Sequence, residues 1–94
     1  MEITVGMKGM ADTCVEREDT AKEVGSGDLL VYATPCMVAL MEGAACEAIQ
    51  AALKETETTV GTALNIEHIS AFCEPFFVIY CYISCVWIFC FYIF

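Results

Sequence analysis

His68 is the only histidine in this 94-residue chain, and so the only side chain whose unperturbed pKa lies near neutrality. It is the one obvious general base, although a strand histidine that simply satisfies its hydrogen bonds has the same appearance. Glu42 is the second residue that stands out. It sits in Met37-Val38-Ala39-Leu40-Met41-Glu42-Gly43-Ala44-Ala45-Cys46, where its i±3 and i±4 neighbours, Val38, Ala39, Ala45 and Cys46, offer no cation. If buried there, the carboxyl needs hydrogen bonds from elsewhere: desolvation raises its pKa and any donor lowers it. At a solvated helix edge it needs nothing. The chemistry open to such groups is general acid–base catalysis. Thr34 brings a hydroxyl, but a threonine before Pro35 is accounted for by helix N-capping. Gly61 marks a place where a strand lies close to another backbone.

Metal chemistry is not indicated. The seven cysteines are an odd number and cannot all pair within one chain. Cys14, Cys36 and Cys46 are isolated, and Cys81, Cys85 and Cys90 are four and five apart. None forms a CxxC pair and none neighbours His68, so reduced cytoplasmic thiols are expected, with no metal site.

The elements that must position these residues read as α+β. Gly9–Glu16 alternates weakly, as a half-buried strand does. Asp19–Val24 suits a short helical turn closed by Gly25-Ser26-Gly27, and Leu29–Ala33 is a brief extended run. Thr34-Pro35 is the strongest local signal, with Thr34 expected at the N-cap and Pro35 at the first helical position. The helix should run to about Lys54, and it is apolar around most of its circumference, which implies central burial. After the polar Glu55-Thr56-Glu57-Thr58, Thr59–Ala71 alternates as a strand, with Gly61 on one face and His68 on the other. Eight residues of helix put Thr34 and Glu42 about 12 Å apart along the axis. They can hardly reach one imidazole from the same helix, which predicts a site assembled from two chains.

Composition divides the chain at residue 71. Residues 1–71 hold 12 of the 13 acidic residues, all four basic residues, all six glycines and one aromatic, Tyr32. Residues 72–94 hold ten of the 11 aromatics, four cysteines and one charge, Glu74. The net charge of −9, with only Lys8, Arg17, Lys22 and Lys54 as cations, excludes a phosphate-neutralising nucleic-acid surface. Met1–Met10 has no apolar stretch of signal-peptide length. The uncharged run 76–94 is 19 residues, close to the roughly 20 that span a bilayer as a helix. Its residues are β-branched and aromatic rather than Leu, Ala and Gly, no cation flanks it, and all but Glu74 and Pro75 of the tail have codons with thymine at the first or second position. It therefore reads as a read-through or frameshift product, with a membrane segment as the alternative. Its β-propensity also fits occupancy of one sheet position, although it lacks the period-2 polarity and turn signals of a hairpin pair.

Asp19-Thr20-Ala21-Lys22-Glu23-Val24-Gly25-Ser26-Gly27-Asp28, Thr34–Glu42 and Val60-Gly61-Thr62-Ala63-Leu64-Asn65-Ile66-Glu67-His68 together resemble the hotdog-fold acyl-CoA thioesterases, in particular the fluoroacetyl-CoA thioesterase-like branch, over residues 1–71. The resemblance implies a hotdog fold, an antiparallel sheet wrapped around a central helix, here truncated after the second main strand. It implies hydrolysis of an acyl-CoA thioester at a dimer interface without metal or other cofactor. By the same resemblance Thr34, Glu42 and His68 correspond to the catalytic set and Gly61 to the glycine lining the acyl pocket. Under that reading His68 is base or nucleophilic partner, Glu42 the carboxylate acting with it, and Thr34 a hydroxyl donor or water-positioner. A fluoroacetyl substrate does not follow from these residues.

The sequence departs from the family after Ala71, where further turn-linked strands are expected and the aromatic tail stands instead. Activity impaired by that loss is one expectation. A membrane-anchored or acyl-CoA-binding protein without turnover is the competing one, with membrane association confined to residues 76–94.

Overall fold

The computed structural model describes residues 3–4, 6–61, 63–69, 78–84 and 91–93. Strand β1 (Lys8–Cys14) forms where the alternation of Gly9–Glu16 places one. Its antiparallel partner is β3 (Val78–Ser84), with Lys8 opposite Ser84, Ala11 opposite Cys81 and Cys14 opposite Val78. Part of the aromatic tail thus occupies a sheet position, in keeping with its β-branched and aromatic composition. Strand β2 (Thr59–Gly61) pairs antiparallel with β4 (Phe91–Ile93). Among the described residues no helix is long and apolar enough to cross a membrane.

β2 is shorter than the alternation of Thr59–Ala71 implies. A strand persists only where a ladder partner runs beside it, and among the described residues the pairing with β4 covers Thr59–Gly61. Residues 63–69 have no regular secondary structure, and residues 70–71 lie outside the described residues. The remaining tail residues, 72–77, 85–90 and 94, lie outside them too.

Between β1 and the main helix the chain folds back on itself. A 3-10 turn at Arg17–Asp19 leads into α1 (Ala21–Val24), which closes at Gly25. Thr20 is fully buried, and its hydroxyl donates to the Arg17 carbonyl at 2.7 Å. The Ala21 N–H donates to Val31 O at 2.8 Å, Lys22 N–H to Leu29 O at 3.0 Å, and Ala33 N–H to Asp19 O at 2.8 Å. This clasp buries Val15, Tyr32 and Ala33 and fixes where the next helix begins.

That helix, α2, spans Thr34–Gln50. Its N-cap is Ala33, in extended conformation at φ −69° and ψ 133°, so Thr34 and Pro35 are its first two residues, one step earlier than the Thr34-Pro35 signal suggests. The shift follows from the clasp: with its N–H held by Asp19, Ala33 turns its carbonyl to Met37 N–H at 3.0 Å. At the other end the regular helix stops at Gln50, short of Lys54, as bonds tighten to three-residue spacing from Ala52 to Ile49 and from Leu53 to Gln50.

The expectation of a helix buried on all sides does not hold. α2 packs on β1 and β3, and only one face is closed off: Ala44, Ala45, Ala48 and Ile49, continued by Ala52. Ala39, Gly43, Cys46, Glu47 and Gln50 are exposed, and Glu42 is half-buried. Two paired strands cover one side of a helix, and the apolar residues on the other side keep partial access to solvent. Where α2 crosses β1 the approach is close. A Cβ at Gly9 would run into the backbone of Ala44 and Ala48, so only glycine fits under that pair of alanines. Beside it, Glu47 of α2 accepts the Met10 N–H at 2.9 Å, tying the strand to the exposed face of the helix.

Candidate active site

The first turn of α2 carries the site. Because Ala33 is the N-cap and makes no side-chain cap, the Thr34 hydroxyl is not engaged in capping. It lies 2.8 Å from Nδ1 of His68. The capping explanation of Thr34 is therefore replaced by a contact between the chain's only imidazole and a hydroxyl 34 residues away in sequence. Which of the two donates depends on the imidazole tautomer. Thr34 is exposed and His68 half-buried, with its Nε2 shielded from solvent.

Thr34 and Cys36 also stand where an α-helix offers its own N–H groups no partner four residues back. Pro35 between them has no N–H to offer. The hydroxyl–imidazole pair thus lies beside two backbone donors and the positive end of the helix dipole, a setting suited to an oxygen that gains negative charge. Cys36 is the residue here that sequence reasoning left out. Its thiol is held above the ordinary range, first by burial and then by the nearby Asp19 carboxylate. The Asp19 side chain accepts the Glu16 N–H at 3.0 Å. Proximity of Asp19 to the start of α2 follows from the clasp and has no signature in local sequence.

Glu42 and Gly61 form a second juxtaposition. A Cβ added to Gly61 would lie 2.5 Å from Glu42 Oε2 and 3.6 Å from its Cδ. The carboxylate thus occupies the space a side chain at position 61 would take. The glycine reading of a close approach holds, but the neighbour is a carboxylate rather than a backbone. Among the described residues the ion pair is Arg17–Glu23, at 3.2 Å. The four residues singled out from the sequence therefore fall into two pairs, Thr34 with His68 and Glu42 with Gly61. Among the described residues no group of three His, Cys, Asp or Glu side chains could hold a metal ion.

Comparison with known proteins gives these pairs a context. The chain is similar to solved structures of the fluoroacetyl-CoA thioesterase FlK. One matches with 27% identity and a TM-score of 0.74, over 85% of this chain and 63% of that one. A threonine-to-serine mutant of FlK in complex with acetyl-CoA matches with 26% identity and a TM-score of 0.73, and a threonine-to-alanine mutant in complex with fluoroacetate with 26% identity and 0.72. Each of these two covers 83% of this chain, which in turn spans 62% of the length of each. The fold is therefore the α+β hotdog fold. Among curated protein sequences none matches significantly. The family model described as "FlK: Fluoroacetyl-CoA-specific thioesterase" matches residues 15–75, a span that contains all four site residues and well over half of the chain. The chain belongs to the FlK thioesterase family.

Proposed function

We propose that this protein hydrolyses an acyl-CoA thioester to the free acid and CoA, with Thr34, Glu42 and His68 as its catalytic residues and Gly61 beside the acyl group. The observation that carries the reading is the 2.8 Å contact between the Thr34 hydroxyl and His68 Nδ1 at the start of α2, inside the segment matched by the family.

The step needs a base near neutral pH, a place for the developing oxyanion and a proton for the departing thiolate. His68 takes a proton from water as the water oxygen attacks the thioester carbonyl. The negative charge that builds on the carbonyl oxygen is met by the N–H groups of Thr34 and Cys36. As the C–S bond breaks, the imidazolium returns the proton to the CoA sulfur. Thr34 fixes the imidazole ring and its tautomer. Glu42 supports the developing positive charge on His68, and a second copy of the chain is the means of bringing it there, because Glu42 stands about 12 Å along α2 from the Thr34 that meets His68. The working unit under this reading is a homodimer, acting in a reducing cytoplasmic setting consistent with the unbridged Cys36 and Cys46.

Release of thiol from acetyl-CoA tests the reading. Activity lost in His68→Ala supports it, and equal rates in wild type and variant overturn it. Mixing inactive His68→Ala and Glu42→Ala chains tests the two-chain site. If each site takes His68 from one chain and Glu42 from the other, the mixed dimer regains one intact site, whereas a site built within one chain recovers nothing.

A further inference from the structure

The Glu42–Gly61 contact is one rung of a longer seam between α2 and β2. Glu42, Cys46 and Gln50 follow at four-residue spacing and share one stripe of the helix, each about 6 Å beyond the last. Gly61 and Thr59, two residues apart, share one face of β2. A cavity of about 460 Å³ opens along this seam, lined by Cys46, Gln50, Thr58 and Thr59 and, farther on, by Leu53 and Lys54. By those spacings Cys46 and Thr59 are its end nearest the Glu42–Gly61 rung. The far end is closed by a turn in which Lys54 N–H donates to Glu57 Oε1 at 2.8 Å and Glu57 N–H to Lys54 O at 2.9 Å. The volume falls in the range of about 300–1,000 Å³ usual for small-molecule sites, and the chemistry at Thr34 and His68 makes no use of it.

What the cavity could hold follows from where it lies; this step rests on the hydrolase reading, in which Gly61 stands beside the acyl group. Glu42 and Gly61 touch within one chain, so the copy that delivers Glu42 to a two-chain site delivers Gly61 and the cavity with it. An acetyl group ends at that rung. A longer acyl chain, advancing about 1.2 Å per bond when extended, comes level with Cys46 after about five bonds and with Gln50 after about ten. The walls there are polar. Leu53 is the one aliphatic side chain among the described lining residues, while Gln50, Thr58 and Thr59 bring an amide and two hydroxyls. A bare alkyl end would strip water from those groups and return no hydrogen bond. An uncharged hydroxyl or amide on the chain returns it. Neither sign of charge is favoured, since Lys54 shares the far end with Glu55 and Glu57.

We infer that the cavity between α2 and β2 is an acyl-chain site, and that the preferred substrate is a CoA thioester whose acyl chain runs to about six to ten atoms and carries an uncharged hydrogen-bonding group near its end.

Initial rates of thiol release from acetyl-CoA, octanoyl-CoA and ω-hydroxyoctanoyl-CoA test it. Between the acetyl and ω-hydroxyoctanoyl esters kcat/KM should rise about tenfold, or about 1.4 kcal/mol, with octanoyl-CoA in between. Cys46 is exposed, so Cys46→Phe can narrow the cavity entrance without disturbing the core. It should lower kcat/KM for the ω-hydroxyoctanoyl ester about tenfold more than for the acetyl ester. Gln50→Leu should erase the advantage of the hydroxylated chain over octanoyl. Alkylation of Cys46 by iodoacetamide supplies a readout independent of turnover: ω-hydroxyoctanoyl-CoA should protect the thiol and acetyl-CoA should not. Acetyl-CoA as the best substrate, or octanoyl-CoA equal to its hydroxylated counterpart, overturns the inference. So does a Cys46→Phe loss shared equally by acetyl-CoA, which would give the cavity to the carrier arm. Selective protection of Cys46 without turnover of any ester keeps the acyl-chain site and removes the hydrolase reading. Turnover with neither chain-length preference nor protection does the reverse.

Discussion

The Thr34 hydroxyl meets His68 Nδ1 at 2.8 Å because Ala33, not Thr34, caps the central helix. Asp19 holds the Ala33 N–H at 2.8 Å and thereby sets the register in which α2 begins. A threonine that would otherwise serve its own backbone is thus delivered to the chain's only imidazole. The positioning group is a backbone carbonyl in a turn, which makes the site depend on the fold of residues 17–33 as much as on the helix.

Thr34→Ala separates the two roles of this hydroxyl. Loss of an N-cap costs about 1 kcal/mol, which in a domain of this size moves the melting temperature by about 4–8 °C. Because Thr34 makes no cap, the variant should melt within about 2 °C of wild type. Its thioester hydrolysis should fall about 100-fold, the scale of a lost acid–base contribution. Thr34→Ser should keep much of the activity. Thermal melts and thiol-release rates on the same preparations check both halves, and a large drop in melting temperature would return Thr34 to a capping role.

Gly61→Ala should act only through Glu42. The added Cβ would lie 2.5 Å from Glu42 Oε2, and the carboxylate, being the end of a flexible side chain, can swing away without unfolding the helix. The expected result is a folded protein with kcat reduced about tenfold or more, the order of a displaced catalytic group. In a Glu42→Ala background the same Gly61→Ala change should cost nothing further, since no carboxylate remains to displace. Additive losses in that double-mutant cycle would mean that Gly61 serves something other than room for Glu42.

The two halves of the chain were unequally legible in the sequence. Alternation placed β1 to within two residues at each end, and Thr34-Pro35 placed the start of α2 to within one. What local pattern could not show was the partner of each element. Alanine and leucine around all sides of α2 read as central burial, yet burial depends on how many strands cover it, and only the Ala44, Ala45, Ala48, Ile49 face is closed. The alternation of Thr59–Ala71 similarly specifies a strand, but a ladder is a property of two segments, and among the described residues pairing reaches Gly61. At the site, residue types alone singled out Thr34, Glu42, Gly61 and His68. Their division into Thr34–His68 and Glu42–Gly61 depends on distances across 34 and 19 residues of sequence, which spacing along one element does not contain.

Gly9→Ala should be the most damaging small substitution in the sheet. Its Cβ would collide with Ala44 O and Ala48 N, both backbone atoms of α2 that cannot swing aside. Strand and helix would have to separate, at a cost of about 1–3 kcal/mol for an overpacked core. Urea denaturation should show a midpoint lowered by that free energy divided by the slope, with little change in the slope itself. Glu47→Gln, which keeps an acceptor for the Met10 N–H, serves as the mild comparison on the same crossing. A midpoint for Gly9→Ala equal to that of wild type would mean that β1 does not pack on Ala44 and Ala48 in solution.

Cys36 should be a slow thiol, and Asp19 one reason for it. Burial and the Asp19 carboxylate both disfavour its thiolate, so its pKa lies above the ordinary value. The nucleophile in alkylation is the thiolate, and at neutral pH its fraction is therefore smaller than in an ordinary cysteine. Mass spectrometry of the protein treated with iodoacetamide should find Cys46, which is exposed, modified well before Cys36. The Cys36 rate should continue to rise with pH beyond the range in which a free thiol levels off. Asp19→Asn removes the charge and keeps a side-chain oxygen to accept the Glu16 N–H. It should therefore speed Cys36 alkylation without a matching change at Cys46. Since burial is the larger of the two causes, the variant should recover only part of the difference. Full recovery would mean that charge, not burial, governs this thiol.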